Sequence, residues 1–107
     1  MTLTAAEIGV PLGECATIVQ FSSTFCAPCR MTRHVVERAA ATAAGVTLVD
    51  LDMADHTELG ERLGIDVTPT VLVLDAAGRV VRRATGVPTL AQVRSALDAA
   101  SAAVASA

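Results

Sequence analysis

Ala16-Thr17-Ile18-Val19-Gln20-Phe21-Ser22-Ser23-Thr24-Phe25-Cys26-Ala27-Pro28-Cys29 is the stretch that decides the fold. Residues 16–21 form a β-branched run of strand type. Ser22, Ser23 and Thr24 then loosen the chain. From residue 27 to 44 there is no Gly, and the single Pro28 falls near the start, where its missing N–H costs nothing. Met31, Val35 and Ala39 recur at helical spacing, while Arg30, Arg33, Glu37 and Arg38 supply a wet side. Gly45 suits the left-handed position beyond a helix end. Strand, loop and helix thus follow in order, with two cysteines at the junction.

Working outward, residues 46–52 read as a second strand. A strand–helix–strand unit of this length is a crossover between parallel strands. Residues 55–63 read as a short helix closed by Gly64. Pro69 lies in a linking turn, and residues 71–74 form an apolar run expected to be covered on both faces. Asp75-Ala76-Ala77-Gly78 has the pattern of a type I turn. Residues 79–85 return as an antiparallel strand, and Arg79, Arg82 and Arg83 mark it as a solvated edge. Thr89 caps a last helix through about residue 100. Residues 1–15 are a short lead-in, in which 3–8 suit either a short strand or one helical turn before Pro11 and Gly13. Residues 101–107 are expected to fray. The fold class is therefore α/β in one domain over residues 1–107. A central mixed sheet is flanked by helices, in the order β-α-β-α-β-β-α after the lead-in.

Composition excludes several functions. The chain has 107 residues, with 8 basic side chains, all Arg, against 11 acidic ones, a net charge of −3. It offers no electrostatic footprint for nucleic acid or anionic lipid. Phe21 and Phe25 are its only aromatic residues, too few for a base-stacking surface. No apolar stretch is long enough to span a bilayer. Glu7 and Glu14 interrupt any secretory signal, so a cytoplasmic setting is expected. Three cysteines, Cys15, Cys26 and Cys29, do not make a secreted disulfide framework.

The chemistry is read at Phe25-Cys26-Ala27-Pro28-Cys29. Residues three apart near a helix start lie on one side, close enough for two sulfurs to join. Unpaired N–H groups and the helix dipole favour a thiolate on Cys26, and the thiolate is the nucleophile of disulfide exchange. Cys29, one turn inside the helix, is expected to be more buried and to resolve the mixed disulfide. Pro28 stiffens the loop. Thr68-Pro69-Thr70 is the second signal: an X-Pro bond before a buried strand is a candidate cis peptide. There the backbone of Thr68 is free to pair with an extended substrate.

These residues, with Gly86 after the last strand, resemble thioredoxin-like proteins over roughly residues 16–100. The resemblance implies a thiol–disulfide oxidoreductase. It makes Cys26 the nucleophile, Cys29 the resolving thiol and Pro69 the cis proline, with Phe25, Thr68 and Gly86 along the substrate groove beside Ala27 and Pro28. It also implies protein disulfides as substrates, a reductase as electron donor, a monomer, and no cofactor beyond the Cys26–Cys29 pair. The chain departs from that family at four places. Phe25 stands for Trp, Ala27-Pro28 for Gly-Pro, Gln20 for a buried Asp, and Leu48 for the Lys that partners it. Gln cannot act as a base, so deprotonating Cys29 would fall to water or to Cys26.

Other readings stay open on the residues alone. One is a thioredoxin-fold adaptor in which the cysteines do little. Another is a Cu(I) or zinc site. Zinc needs about four ligands, and only His34 and His56 are available beside the cysteines. His34 is expected on the helix surface, and His56 solvated at a helix start. Met31 and Met53 are read as core filler. Cys15 is read as a small half-buried apolar residue, or else as a regulatory thiol.

Overall fold

A computed structural model describes the backbone of residues 1–106 and side chains through residue 103. Eight elements follow in order: α1 (Ala5–Ile8), β1 (Ala16–Ser22), α2 (Ala27–Ala41), β2 (Val46–Asp52), α3 (Thr57–Arg62), β3 (Thr70–Asp75), β4 (Val80–Thr85) and α4 (Leu90–Ser106). A 3₁₀ turn, Met53–Asp55, precedes α3. The four strands form one sheet in the order β2-β1-β3-β4. β1 and β2 are parallel, and the other two pairings are antiparallel. The mixed sheet and the element order agree with the sequence reading.

Strand periodicity splits the interior in two. On one face Val19, Phe21, Leu72 and Leu74 pack with Leu3, Ile8, Leu59, Leu63 and Ile65 from the lead-in and the α3 region. On the other, Ala16, Ile18, Val71 and Val73 pack with Val36 and Ala39 of α2 and with Val93, Ala96, Leu97 and Ala100 of α4. Alternation along β1 therefore turns Gln20 and Ser22 toward the α2 face, beside Ile18 in register. Small Ala39, Ala96 and Ala100 let both helices lie close to the sheet, which is how an alanine-rich chain fills this layer.

Several details differ from the sequence reading. α2 ends at Ala41 rather than at 44, with Thr42 as its cap. Gly45 still takes the left-handed conformation, φ 69°, but as the entry to β2. Its carbonyl accepts from Cys15 N at 2.9 Å. The buried stripe of α2 runs Cys29, Thr32, Val36, Ala39. Ala39 lies in that stripe as expected, but Thr32 and Val36 take the places expected of Met31 and Val35, which leaves Met31 59% exposed; Met31 is not core filler, whereas Met53 does pack against the core. His56 lies just before α3, half-buried, with Nδ1 3.0 Å from the carbonyl of Asp52. Finally, residues 101–106 are helical, not frayed. Ala has the highest helix propensity, and Ala100 is wholly buried; residue 107 lies outside the described residues.

Of the two forms expected for residues 3–8, the helical turn is the one present, as α1, with an isolated bridge ahead of it. Thr2 bridges to Arg79 at the edge of the sheet. Thr4 then caps α1 in a capping box with Glu7, and Gly9 ends it at φ 80°.

Candidate active site

The site lies where β1 runs into α2. Phe25 turns the chain with φ 57°, a left-handed conformation unusual for a bulky residue, and its ring is fully exposed. Cys26 follows as the N-cap of α2, in extended conformation. Its Sγ accepts from the backbone N–H of Cys29 at 3.2 Å. The sulfur thus occupies the place of a capping oxygen, where an orphan N–H and the helix dipole both favour negative charge. Ala27 and Pro28 fill the first turn and are exposed. Cys26 and Cys29 are joined in a disulfide with Cα atoms 5.2 Å apart. Cys26 is half-buried, whereas Cys29 is 1% exposed. Only the leading sulfur is open to a large partner.

A second loop is drawn up to this one. The Thr68–Pro69 peptide is cis, and Pro69 is buried. Thr68 Oγ1 and Ser23 Oγ share a hydrogen bond of 2.8 Å between the two loops. Gly86, at φ 77°, donates its N–H to the carbonyl of Pro69 at 3.0 Å. Thr68, Pro69 and Gly86 are thus brought together beside the cysteine loop. Exposed Val67 and Val87 flank them. A groove between β4 and α4, about 440 Å³ and lined by Val71, Val73, Arg82, Pro88, Val93 and Ala96 among others, does not include either sulfur.

Beneath the cysteines lies a polar chain that sequence reasoning did not assemble. Gln20 is fully buried. Its Nε2 donates to the carbonyl of Cys29 at 2.8 Å and to Ser22 Oγ at 3.0 Å. Ser22 Oγ donates to Asp50 Oδ1 at 2.7 Å. Arg33 of α2 closes the chain on Asp50 Oδ2, through Nε at 2.9 Å and a second nitrogen at 2.6 Å. The parallel register sets Gln20 opposite Asp50, and Ile18 opposite Leu48. The residue beside Gln20 on β2 is therefore Asp50, not the Leu48 expected from the sequence. Leu48 instead packs on the α2–α4 layer. The available signal was a lone Gln in a buried β-branched strand, since buried polar groups need partners.

Other candidates lie apart from this site. His34 is exposed on α2, as expected. Among the described residues no group of three or more His, Cys, Asp and Glu gathers to hold a metal. Cys15 is a free, half-buried thiol against Gly45.

A reactive sulfur pair at a helix start, on a mixed sheet with a facing cis-proline loop, defines a thiol–disulfide oxidoreductase. The thioredoxin family model matches residues 10–99. The thioredoxin of Alicyclobacillus acidocaldarius is 36% identical over 88 residues, covering 80% of this chain and 83% of that protein. That of Chlamydia muridarum is 35% identical over 69 residues, 64% of this chain and 67% of its own. The fold is also that of chloroplastic thioredoxin z, with a TM-score of 0.74 at 24% identity, covering 94% of this chain and 92% of that one. The chain belongs to the thioredoxin family.

Proposed function

We propose that this thiol–disulfide oxidoreductase works as a reductant of protein disulfides. The observation that carries exchange through Cys26 is the asymmetry of the pair, in which Cys26 caps the helix and is half-buried while Cys29 is shut beneath it. The reductant direction follows from the expected cytoplasmic setting. In the reduced protein the Cys26 thiolate attacks a substrate disulfide, forming a mixed disulfide and releasing one substrate thiolate. Cys29 then loses its proton and attacks Cys26 Sγ. The second substrate sulfur leaves and takes up a proton, and the Cys26–Cys29 disulfide remains. Two electrons have passed to the substrate, and a separate dithiol reductase returns them.

Pro69 and the backbone of Thr68 hold an extended substrate segment, with Phe25, Ala27, Pro28 and Gly86 along its path. No cofactor beyond the sulfur pair takes part. The reductant direction fits a cytoplasmic setting, where dithiols are kept reduced, and a monomer suffices for the cycle. No helix of the described residues is long and apolar enough to cross a membrane.

Insulin reduction with dithiothreitol tests the reading. Wild type should accelerate it, Cys26→Ser should not, and Cys29→Ser should accumulate the mixed disulfide, visible by mass spectrometry. Equal rates for wild type and Cys26→Ser would leave an adaptor role instead. A reduction potential above about −180 mV would make the protein an oxidant.

A further inference from the structure

The polar chain under the cysteines leaves one atom unused. Gln20 spends Nε2 on the carbonyl of Cys29 and on Ser22 Oγ. The first partner is a carbonyl, so it accepts from an N–H and fixes which end of the amide is nitrogen. Asp50 reinforces the choice. It takes the Ser22 hydroxyl hydrogen, which leaves the lone pairs of Ser22 Oγ for Gln20. Arg33 in turn holds Asp50 by two hydrogen bonds. Gln20 Oε1 is thereby set in place, wholly buried, with no hydrogen-bond partner among the described residues. Burying an acceptor unpaired costs roughly 1–3 kcal/mol, an odd feature for a side chain whose nitrogen makes two hydrogen bonds.

Oxidation state supplies the reason. In the disulfide neither sulfur carries a hydrogen. Reduction adds two electrons and two protons, and Cys29, the buried residue whose carbonyl Gln20 already binds, then carries an S–H donor. We infer that Gln20 Oε1 is the acceptor for the Cys29 thiol in the reduced protein, a positioning role that Ser22, Asp50 and Arg33 hold in place. This rests on the reductant reading above, because it matters only if the pair cycles. The hydrogen bond forms in one redox state alone, so it stabilises the dithiol against the disulfide. It also favours the protonated form of Cys29 until Cys26 has engaged a substrate. Thr32 Oγ1, one turn beyond Cys29, is the other buried atom without a partner among the described residues; being a hydroxyl, it brings its own hydrogen and does not need a donor in the same way.

Two measurements test the inference. The first is the infrared S–H stretch of Cys29 in a Cys15→Ser, Cys26→Ala protein, where it is the only thiol. We expect a band lowered by hydrogen bonding, moved up by adding Gln20→Leu, moved up less by Ser22→Ala, and unmoved by Thr32→Val. A band already at the free-thiol position in the parent with Gln20 intact overturns the inference, whether or not the Gln20→Leu chain folds. So does a shift that follows Thr32→Val and not Gln20→Leu. The second is equilibration of the otherwise wild-type pair with glutathione. Gln20→Leu should favour the disulfide by about threefold to tenfold, from the worth of one hydrogen bond; the tenfold limit is about 30 mV. An unchanged equilibrium with a folded variant also overturns it. Failure of insulin reduction alone would remove the reductant reading and leave the infrared result standing, so the two fail separately.

Discussion

Ser23 and Thr68, 45 residues apart in sequence, share a 2.8 Å hydrogen bond between their hydroxyls, and with it the cysteine loop and the cis-proline loop become one surface. Ser23 is exposed and Thr68 half-buried, so the bond adds little to global stability. Its value lies in fixing where the Thr68 backbone stands relative to Cys26. Ser23→Ala should therefore lower kcat/KM for insulin by about twofold to fivefold, under roughly 1 kcal/mol of transition-state stabilisation. The Tm should fall by no more than a few degrees. A loss of stability without a loss of rate would make the contact purely structural.

Phe25 carries a strained backbone and an exposed ring. A left-handed conformation costs a non-glycine residue about 1–2 kcal/mol, and Gly adopts it freely at some cost in unfolded-chain entropy. Phe25→Gly is expected to raise stability by up to about 1 kcal/mol in urea denaturation. The same change should weaken turnover of protein disulfides more than that of a small disulfide such as bis(2-hydroxyethyl) disulfide, because it removes the one aromatic surface next to Cys26. A variant of lower stability would show that the turn is not strained.

Acid should loosen the β3–β4 hairpin. Burial pushes the Asp75 carboxyl up, but the N–H of Arg79, its side chain and charge, and the N–H of Ala77 together outweigh it, and the group sits below its ordinary 3.8. Glu7, hydrogen-bonded by the Thr4 backbone and paired with Arg62, sits below 4.5. A carboxyl with a lowered value binds its proton less readily folded than unfolded. Its contribution is therefore complete above the ordinary value and is lost as pH falls through the folded one. Urea unfolding should show stability flat in these groups above about pH 5 and falling steadily below about pH 4.5. Asp75→Asn should cost about 1–3 kcal/mol at pH 7 and flatten that acid limb.

Gly13 has no room for a side chain. A Cβ there would run into the Ala16 carbonyl oxygen, with Gly45 O and Thr47 N each at 2.8 Å, and all three belong to backbone. Backbone cannot swing aside as a side chain does. Gly13→Ala should cost about 1–3 kcal/mol as overpacking, or roughly 4–24 °C in Tm at about 4–8 °C per kcal/mol. An unchanged Tm would show that the turn before β1 can shift.

Legibility followed the range of the interaction. β2 and the helix start at Cys26 are legible, because they rest on local propensity and on neighbours three residues apart. α2 and its buried Ala39 are legible, but Thr32 and Val36 stand where Met31 and Val35 are expected. Thr32 is polar, and no local rule says that a threonine will face the sheet. The last turns of α4 were missed because Ala and Ser there were read as unanchored. Gln20 is legible as standing where the resembled family has a buried Asp, but its partners come from distant residues that no local rule names.

What the amino-acid sequence determined alone was the chemistry: a Cys-x-x-Cys pair entering a helix after a strand, with a later Thr-Pro before a buried strand. Those depend on bonds and spacings within a few residues. Tertiary structure decided how distant residues share the site. The parallel register put Asp50, and not Leu48, beside Gln20. Sheet pairing and the cis turn brought Thr68 to Ser23. A one-residue slip in register moves every side chain to the opposite face, so contacts across 28 or 45 residues are fixed only when the sheet closes.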